Sequence, residues 1–258
     1  MTGAFTLKLV HPKGQLASWV QGLWSASLAV NSDETINKLL YGDACSGVVF
    51  VLNGKVALGD KQYSPGGYFL PNSRNAQNLC LSPGAHLAGI RLHPAMGYAF
   101  WGRNFEHPEA FTALPDKLNE LRQLYWALSC CTGHYARLRQ LYMYLIQRVR
   151  LASNLPPSLT LALKQLQSTT LQYQSDINAN VSQRQLERLF SQWLTMTPKH
   201  CHRVFRIARA LDAIKNKPES QLADIANDCG FSDQAHMTRE FRQIAQISPL
   251  RYRKQYLS

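Results

Sequence analysis

The stretch Leu222–Phe241 restricts this chain more than any other. Leu222, Ile225 and Ala226 fall on one face at helical spacing. Met237 and Phe241 stand four apart as the inner side of a second helix. Between the two runs lies Gly230, just past the last periodic residue, where the chain needs a left-handed φ and a Cβ is costly. Ser220 and Ser232 are placed to cap the two helices. Small Ala226, four residues before the glycine, lets the second helix pack closely across the first. The expectation is helix, tight turn, helix, a unit whose second helix can enter the major groove of DNA. The competing reading is an ordinary helical hairpin that happens to turn on a glycine.

The unit has a partner upstream. Phe190-Ser-Gln-Trp-Leu-Thr-Met-Thr-Pro198 parallels Phe241-Arg-Gln-Ile-Ala-Gln-Ile-Ser-Pro249, an offset of 51 residues (241 − 190). Ser182 and Gln185 form a capping box ahead of Phe190. One module thus occurs twice, and two such helices on one body suit successive major-groove faces. Between the modules, His202–Lys215 carries Phe205, Ala208, Leu211 and Ile214 along one side and predicts a long connecting helix. Once Leu186, Leu189 and Phe190 face inward, Arg184, Glu187 and Arg188 share the opposite face of the first module's second helix. Arginine can bond guanine bidentately and glutamate can accept from cytosine N4.

Ser182-Gln-Arg-Gln-Leu-Glu-Arg-Leu-Phe190, Thr197-Pro-Lys199, Arg206-x-x-Arg-Ala-Leu211, Asp224-Ile-Ala226, Cys229-Gly-Phe-Ser-Asp-Gln-Ala-His236, Arg239-Glu-Phe-Arg242 and Ser248-Pro-x-x-Tyr-Arg253 together resemble the DNA-binding domain of AraC/XylS-type transcription regulators. The resemblance covers roughly residues 158–254. It implies a sequence-specific DNA-binding regulator without catalytic activity or cofactor. It also implies a double-stranded promoter or operator as partner, a small-molecule effector, pairing into a homodimer, and contact with RNA polymerase. In the second module it points to Gln234, His236, Thr238 and Arg239 as base-reading positions. Some positions depart from the family pattern. Asp176 stands where a small alanine is usual, Asn180 replaces the turn glycine, and Thr195 and Gln246 stand where a glycine usually precedes Ser/Thr-Pro.

The amino-terminal half reads as β-rich up to about residue 113. Val48–Leu52 and Lys55–Leu58 flank Asn53-Gly54, a hairpin signal because both turn residues accept positive φ. Ser64-Pro-Gly-Gly67 and Ser82-Pro-Gly84 mark further turns, while Tyr68–Leu70 and Leu87–Leu92 read as strands. Leu16–Trp24 fits strand or helix. Closely spaced short strands suggest a barrel or sandwich. His11-Pro, Trp19, Trp24, Ile90-Arg-Leu-His-Pro94 and Phe100-Trp-Gly102 resemble, weakly, the cupin-like sensor domain of the same regulators. Residues 115–150 predict two helices, with stripes at Leu118, Leu121, Leu124, Tyr125, Leu128 and at Leu138, Leu141, Tyr142, Leu145, Ile146, Val149. Those stripes either pair subunits, as the resemblance implies, or cover the barrel. The fold class is therefore α+β: residues 1–150 as sensor or oligomerisation domain, 151–157 as a linker stiffened by Pro156-Pro157, and 158–258 as an all-α domain with two helix-turn-helix motifs.

Composition bounds the alternatives. The net charge of +12 favours a polyanionic partner. Of the six cysteines none forms a C-x-x-C pair, and His86 and His93 lack a metal-ligand spacing, so no metal is expected. Most of the thiols are expected to be buried in a reducing compartment, a redox-sensing pair being the alternative. No signal peptide or membrane-spanning run is visible, and a cytoplasmic location is expected. Two rivals stay open. An enzyme with a fused DNA-binding domain would need an activated cysteine, and none has a suitable motif. The other is an interaction protein whose helix-turn-helix no longer binds DNA.

Overall fold

The computed structural model describes residues 5–32, 35–149, 154–168 and 180–257. The chain divides into two compact units. The first comprises Met1–Leu40, Cys45–Asn72 and Gln77–Asn154; the second comprises Tyr41–Ala44, Ser73–Ala76 and Leu155–Ser258.

The first unit is built on two antiparallel sheets. The strands are β1 (Phe5–Val10), β2 (Val20–Leu28), β3 (Ile36–Leu40), β4 (Ser46–Asn53), β5 (Val56–Leu58), β6 (Lys61–Tyr63), β7 (Gly66–Leu70), β8 (Gln77–Leu81), β9 (His86–Leu92) and β10 (Glu109–Ala110). One sheet has the order β1-β2-β9-β4-β7-β10 and the other β3-β8-β5-β6. Three helices follow β9: α1 (Met96–Trp101), α2 (Pro115–Ser129) and α3 (His134–Val149). The central strands explain their own sequence. Val48 and Phe50 of β4, with Ala88, Ile90 and Leu92 of β9, pack beneath Leu121, Leu128, Leu138, Leu141 and Leu145 of α2 and α3. Their alternates Val51 and Leu87 turn the other way, to Val56 and Leu81 of the second sheet. Both faces are buried, so the strand reads as an unbroken apolar run. The two helical stripes are thus spent on the sheet, and only their edges, Tyr142 and Ile146, are exposed.

The Asn53-Gly54 turn is not the hairpin expected from its sequence. β4 pairs with β7 and β9, and β5 pairs with β6 and β8. The turn carries the chain from one sheet to the other. Gly54 still has the expected left-handed φ of 81°, but a Cβ there would lie 2.6 Å from Ala85 Cα, so close packing as well as turn geometry requires glycine. The tight hairpin of this region joins β5 to β6 across Gly59-Asp60. The ambiguous Leu16–Trp24 proves to be both: Gly14–Ser18 form a 3-10 turn, and β2 begins at Val20.

The second unit is helical: α4 (Pro157–Gln167), α5 (Gln183–Leu194), α6 (Pro198–Asn216), α7 (Leu222–Asp228), α8 (Gln234–Ala245) and α9 (Pro249–Arg253). The connecting helix α6 touches the other five. It consequently buries Cys201, His202, Val204, Ile207 and Ala210 in addition to Phe205, Leu211 and Ile214, more than the single stripe expected. Pro157 opens α4 rather than ending a linker, since its missing N–H is not needed in a first turn. The expected leading helix of the first module, 171–179 with Asp176, lies outside the described residues, as do residues 151–153 of the expected linker.

Candidate nucleic-acid interface

The 51-residue duplication reappears in the backbone. α5 and α8 have twelve residues each and begin at Gln183 and Gln234. Their N-caps, Ser182 and Asp233, each accept a hydrogen bond from the backbone N–H three residues on. Both helices end on a left-handed residue, Thr195 (φ 53°) and Gln246 (φ 55°). The following helices begin at Pro198 and Pro249 and are capped by Thr197 and Ser248 in the same way. Two copies of one local fold therefore place α5 and α8 as equivalent elements.

Each helix buries one face and presents the other. In α5, Leu186, Phe190, Trp193 and Leu194 are buried and Leu189 is half-buried. Arg184, Glu187 and Arg188 are exposed together, as expected, and Glu187 accepts from Gln183 Nε2 at 3.0 Å. The capping box is complete, with Gln185 Oε1 accepting from the Ser182 N–H at 3.0 Å. In α8, Met237, Phe241 and Ile244 are buried, and Gln234 and Arg239 are exposed. His236 and Thr238 are only half-exposed. The Thr238 hydroxyl donates to the Gln234 carbonyl at 2.8 Å. His236 has Nδ1 3.0 Å from Ser232 Oγ, Nε2 3.6 Å from Glu240, and its ring edge-to-face with Phe231.

The turn between α7 and α8 is closed as a Schellman motif. The Gly230 N–H bonds the Asn227 carbonyl and the Phe231 N–H bonds the Ala226 carbonyl, both at 2.9 Å. Gly230 has φ 78°, and nothing lies within 4 Å of where its Cβ would be, so backbone geometry alone asks for glycine. Two expected caps are corrected. Ser232 does not cap α8; extended Asp233 does, holding its carboxylate 2.6 Å from the His236 N–H. That bond is the first cause of its depressed pKa. Ser220 does not cap α7 either, because the helix begins one residue later than its hydroxyl could serve. Gln221 takes the N-cap position without a side-chain bond, and Asp224 sits in the first turn, where a negative charge is favoured.

The sequence reading missed what locks α8 in place. Glu240 is buried, and its carboxylate accepts from Arg203 Nε at 2.7 Å and from Arg206 Nη2 at 2.6 Å. Arg206 also donates to the Gly230 carbonyl at 2.9 Å and lies over the Phe231 ring. Burial pushes the Glu240 pKa up, but the hydrogen bonds and charges of Arg206 and Arg203 outweigh it and hold the carboxyl below its ordinary value. One network thus ties α6, the turn and α8 together. Arg203 and Arg206 of α6 are committed inward, and Arg209 likewise reaches the Gln167 carbonyl at 3.3 Å. A signal existed: position 240 falls on the stripe of Met237, Phe241 and Ile244, where an acidic residue needs buried cations.

Comparison with known proteins agrees with this geometry. Residues 178–255 match the helix-turn-helix domain family. Over 73 residues, 28% of this chain and 20% of the relative, the sequence is 34% identical to the HTH-type transcriptional regulator GbdR of Pseudomonas aeruginosa. It is 33% identical over 75 residues to ArgR of the same species, covering 29% of this chain and 22% of that one. The chain thus spans about a fifth of the length of these curated relatives. A solved transcriptional regulator of the AraC-type DNA-binding-domain class, from Chromobacterium violaceum, is 31% identical. That match covers 39% of this chain and 92% of that one, with a TM-score of 0.36. The duplicated unit defines a helix-turn-helix protein. Within that class the chain belongs to the AraC-type family of regulators.

Among the described residues, no helix is long and apolar enough to cross a membrane, and no group of three or more His, Cys, Asp or Glu could hold a metal. Cys45, Cys201 and Cys229 are buried, and burial raises the thiol pKa of Cys201 and Cys229.

Proposed function

We propose that the protein is a sequence-specific DNA-binding transcription regulator that acts in the cytoplasm and uses α5 and α8 as paired recognition helices. The observation that carries this reading is the equivalence of the two helices. They share length, caps and left-handed exits, and each turns a polar face outward from a buried apolar one. Arg184, Glu187 and Arg188 form the first reading face; Gln234, His236, Thr238 and Arg239 form the second. Arg188 and Arg239 suit guanine O6 and N7, and Gln234 suits adenine N6 and N7. The Thr238 hydroxyl keeps lone pairs to accept with, and its methyl group suits a thymine methyl. The net charge of +12 supplies the sequence-independent attraction to phosphate. Residues 1–150 take the roles of effector binding and subunit pairing, and residues 158–258 that of DNA binding and any contact with RNA polymerase.

Genome-wide mapping of bound sites followed by fluorescence anisotropy on one mapped duplex tests the reading. Affinity for that duplex should exceed affinity for a scrambled one by at least ~10³-fold at physiological salt. Equal affinity for both would reduce the protein to a non-specific binder.

A further inference from the structure

Two charged side chains are buried among the described residues, and they are treated in opposite ways. Glu240, 8% exposed, is met by two guanidinium groups. Arg137 on α3, also 8% exposed, is met by none of the described carboxylates. Its Nη2 donates to the Cys131 carbonyl at 3.2 Å, its Nη1 lies 3.4 Å from His86 Nδ1, and its Nε is buried without a partner. A buried cation without a counter-charge is expensive.

The groups around it are polar and point the same way. Guanidinium nitrogens only donate, so His86 Nδ1 must hold a lone pair toward Arg137. His134, the first residue of α3, has Nδ1 2.9 Å from Ser25 Oγ and Nε2 3.2 Å from Ser27 Oγ. The Ser25 hydroxyl donates to the Leu87 carbonyl at 3.1 Å, so its oxygen accepts and His134 carries its proton on Nδ1. Ser25, Ser27 and His86 share the face of β2 and β9 that α3 covers, not the space between the two sheets. His86, His134 and Ser27 are half-exposed, so the cluster opens to solvent at its rim with the arginine beneath. Lys8 of β1 adds a further positive charge that reaches His134.

We infer that Arg137, His86, His134 and Ser27 form a binding site for a small oxyanion, a carboxylate or a phosphate, between α3 and the outer face of the six-stranded sheet. The anion accepts from the Arg137 guanidinium, from the His86 Nε2–H and, once protonated His134 donates its Nε2–H to Ser27, from the freed Ser27 hydroxyl, and it supplies the missing negative charge at the helix N-terminus. The ionisable groups acting on the site are Lys8, His86, Cys131, His134 and Arg137. Burial, then the nearby Arg137 charge, lowers the pKa of both histidines. An anion favours the charged form of His134, so acetate, which stays ionised throughout this range, binds more tightly at pH 6 than at pH 8. The inference concerns the first unit and does not rest on the DNA-binding reading.

The test is histidine-ring NMR of the full-length protein, with His86 and His134 assigned through His86→Asn and His134→Asn, titrated with inorganic phosphate or acetate at constant ionic strength. Both rings should shift saturably with at least one anion, acetate more tightly at pH 6 than at pH 8. Stronger binding of phosphate or of acetate assigns the ligand class. Arg137→Gln should abolish the response, while substitution of exposed Arg139 and of Arg188 on α5 should leave it intact. An unaltered response in Arg137→Gln, or saturable shifts with neither anion, would overturn the site. If Arg137→Gln does not fold, His134→Asn read through the His86 ring takes its place, and an undiminished affinity there overturns the site equally.

Discussion

Thr195 and Gln246 hold left-handed backbone without being glycine, at φ 53° and 55°. A left-handed residue with a Cβ costs about 1–2 kcal/mol, and glycine gives back part of that relief through unfolded-chain entropy. Thr195→Gly and Gln246→Gly should therefore each raise stability by about 0.5–1 kcal/mol, read as a urea midpoint shift without a change of slope. Gly230→Ala should lower it by about 1 kcal/mol from conformation alone, because its Cβ would meet nothing. Glu240→Gln strands two guanidinium groups at a site where the carboxylate is buried. The loss should be about 3 kcal/mol, and Arg203→Gln added to it should cost less than it does in the wild type. The pH dependence follows from the same region. His202 is buried, and burial, then the charges of Arg206 and Arg209, lowers its pKa to about 4. A lowered histidine destabilises the fold as the pH falls from its unfolded value near 6.5 toward 4. Glu240, also lowered, contributes stability that is lost as the pH falls below the ordinary 4.5. Denaturant midpoints should thus decline in two acid steps, and His202→Asn should reduce the upper one, to which the lowered His86, His134 and His200 also contribute.

At the scale of elements, local rules located α5 and α8 well. A capping box, a 3.6-residue stripe and a repeated Phe…Pro frame are all short-range signals, and the 51-residue offset predicted one helix from the other. The failures share a cause. Asn53-Gly54 gave the turn correctly and the pairing wrongly, because which strand β4 joins is decided by burial on both its faces, a long-range matter. Ser232 lost the cap to Asp233 because the turn exits through buried Phe231 into an extended residue. The Glu240 network was hidden because its partners lie 34 and 37 residues away on α6. Of the expected reading positions, Arg184, Glu187, Arg188, Gln234 and Arg239 are exposed, while His236 and Thr238 are drawn partly into local bonds that spacing does not reveal. Ser182→Ala removes the side-chain half of a capping box, the bond accepted from the Gln185 N–H, and should destabilise by about 1 kcal/mol, with the N–H groups of α5's first turn exchanging faster with solvent than those of α8.

At the scale of the whole molecule, the question is how two equivalent helices divide a binding site. α5 and α8 are matched in length and capping, so each should contribute a distinct contact rather than one serving as a spare. If Arg239 reads a base, Arg239→Ala should weaken specific binding by about 1–3 kcal/mol and relax preference at a single base pair. Arg188→Ala should act in the same manner at a position about one helical turn away along the DNA. An arginine that meets only phosphate behaves otherwise: its removal weakens every sequence alike and lowers the dependence of log affinity on log salt by about one. Competition binding against a library of site variants separates the two cases for each residue. Because Arg203, Arg206 and Arg209 are committed inside the fold, the salt slope should come chiefly from exposed cations, so loss of Arg203 should reach DNA affinity only through stability. A uniform loss for both Arg188→Ala and Arg239→Ala would move the reading of bases to Arg184, Glu187, Gln234, His236 and Thr238, the other groups of the two proposed reading faces.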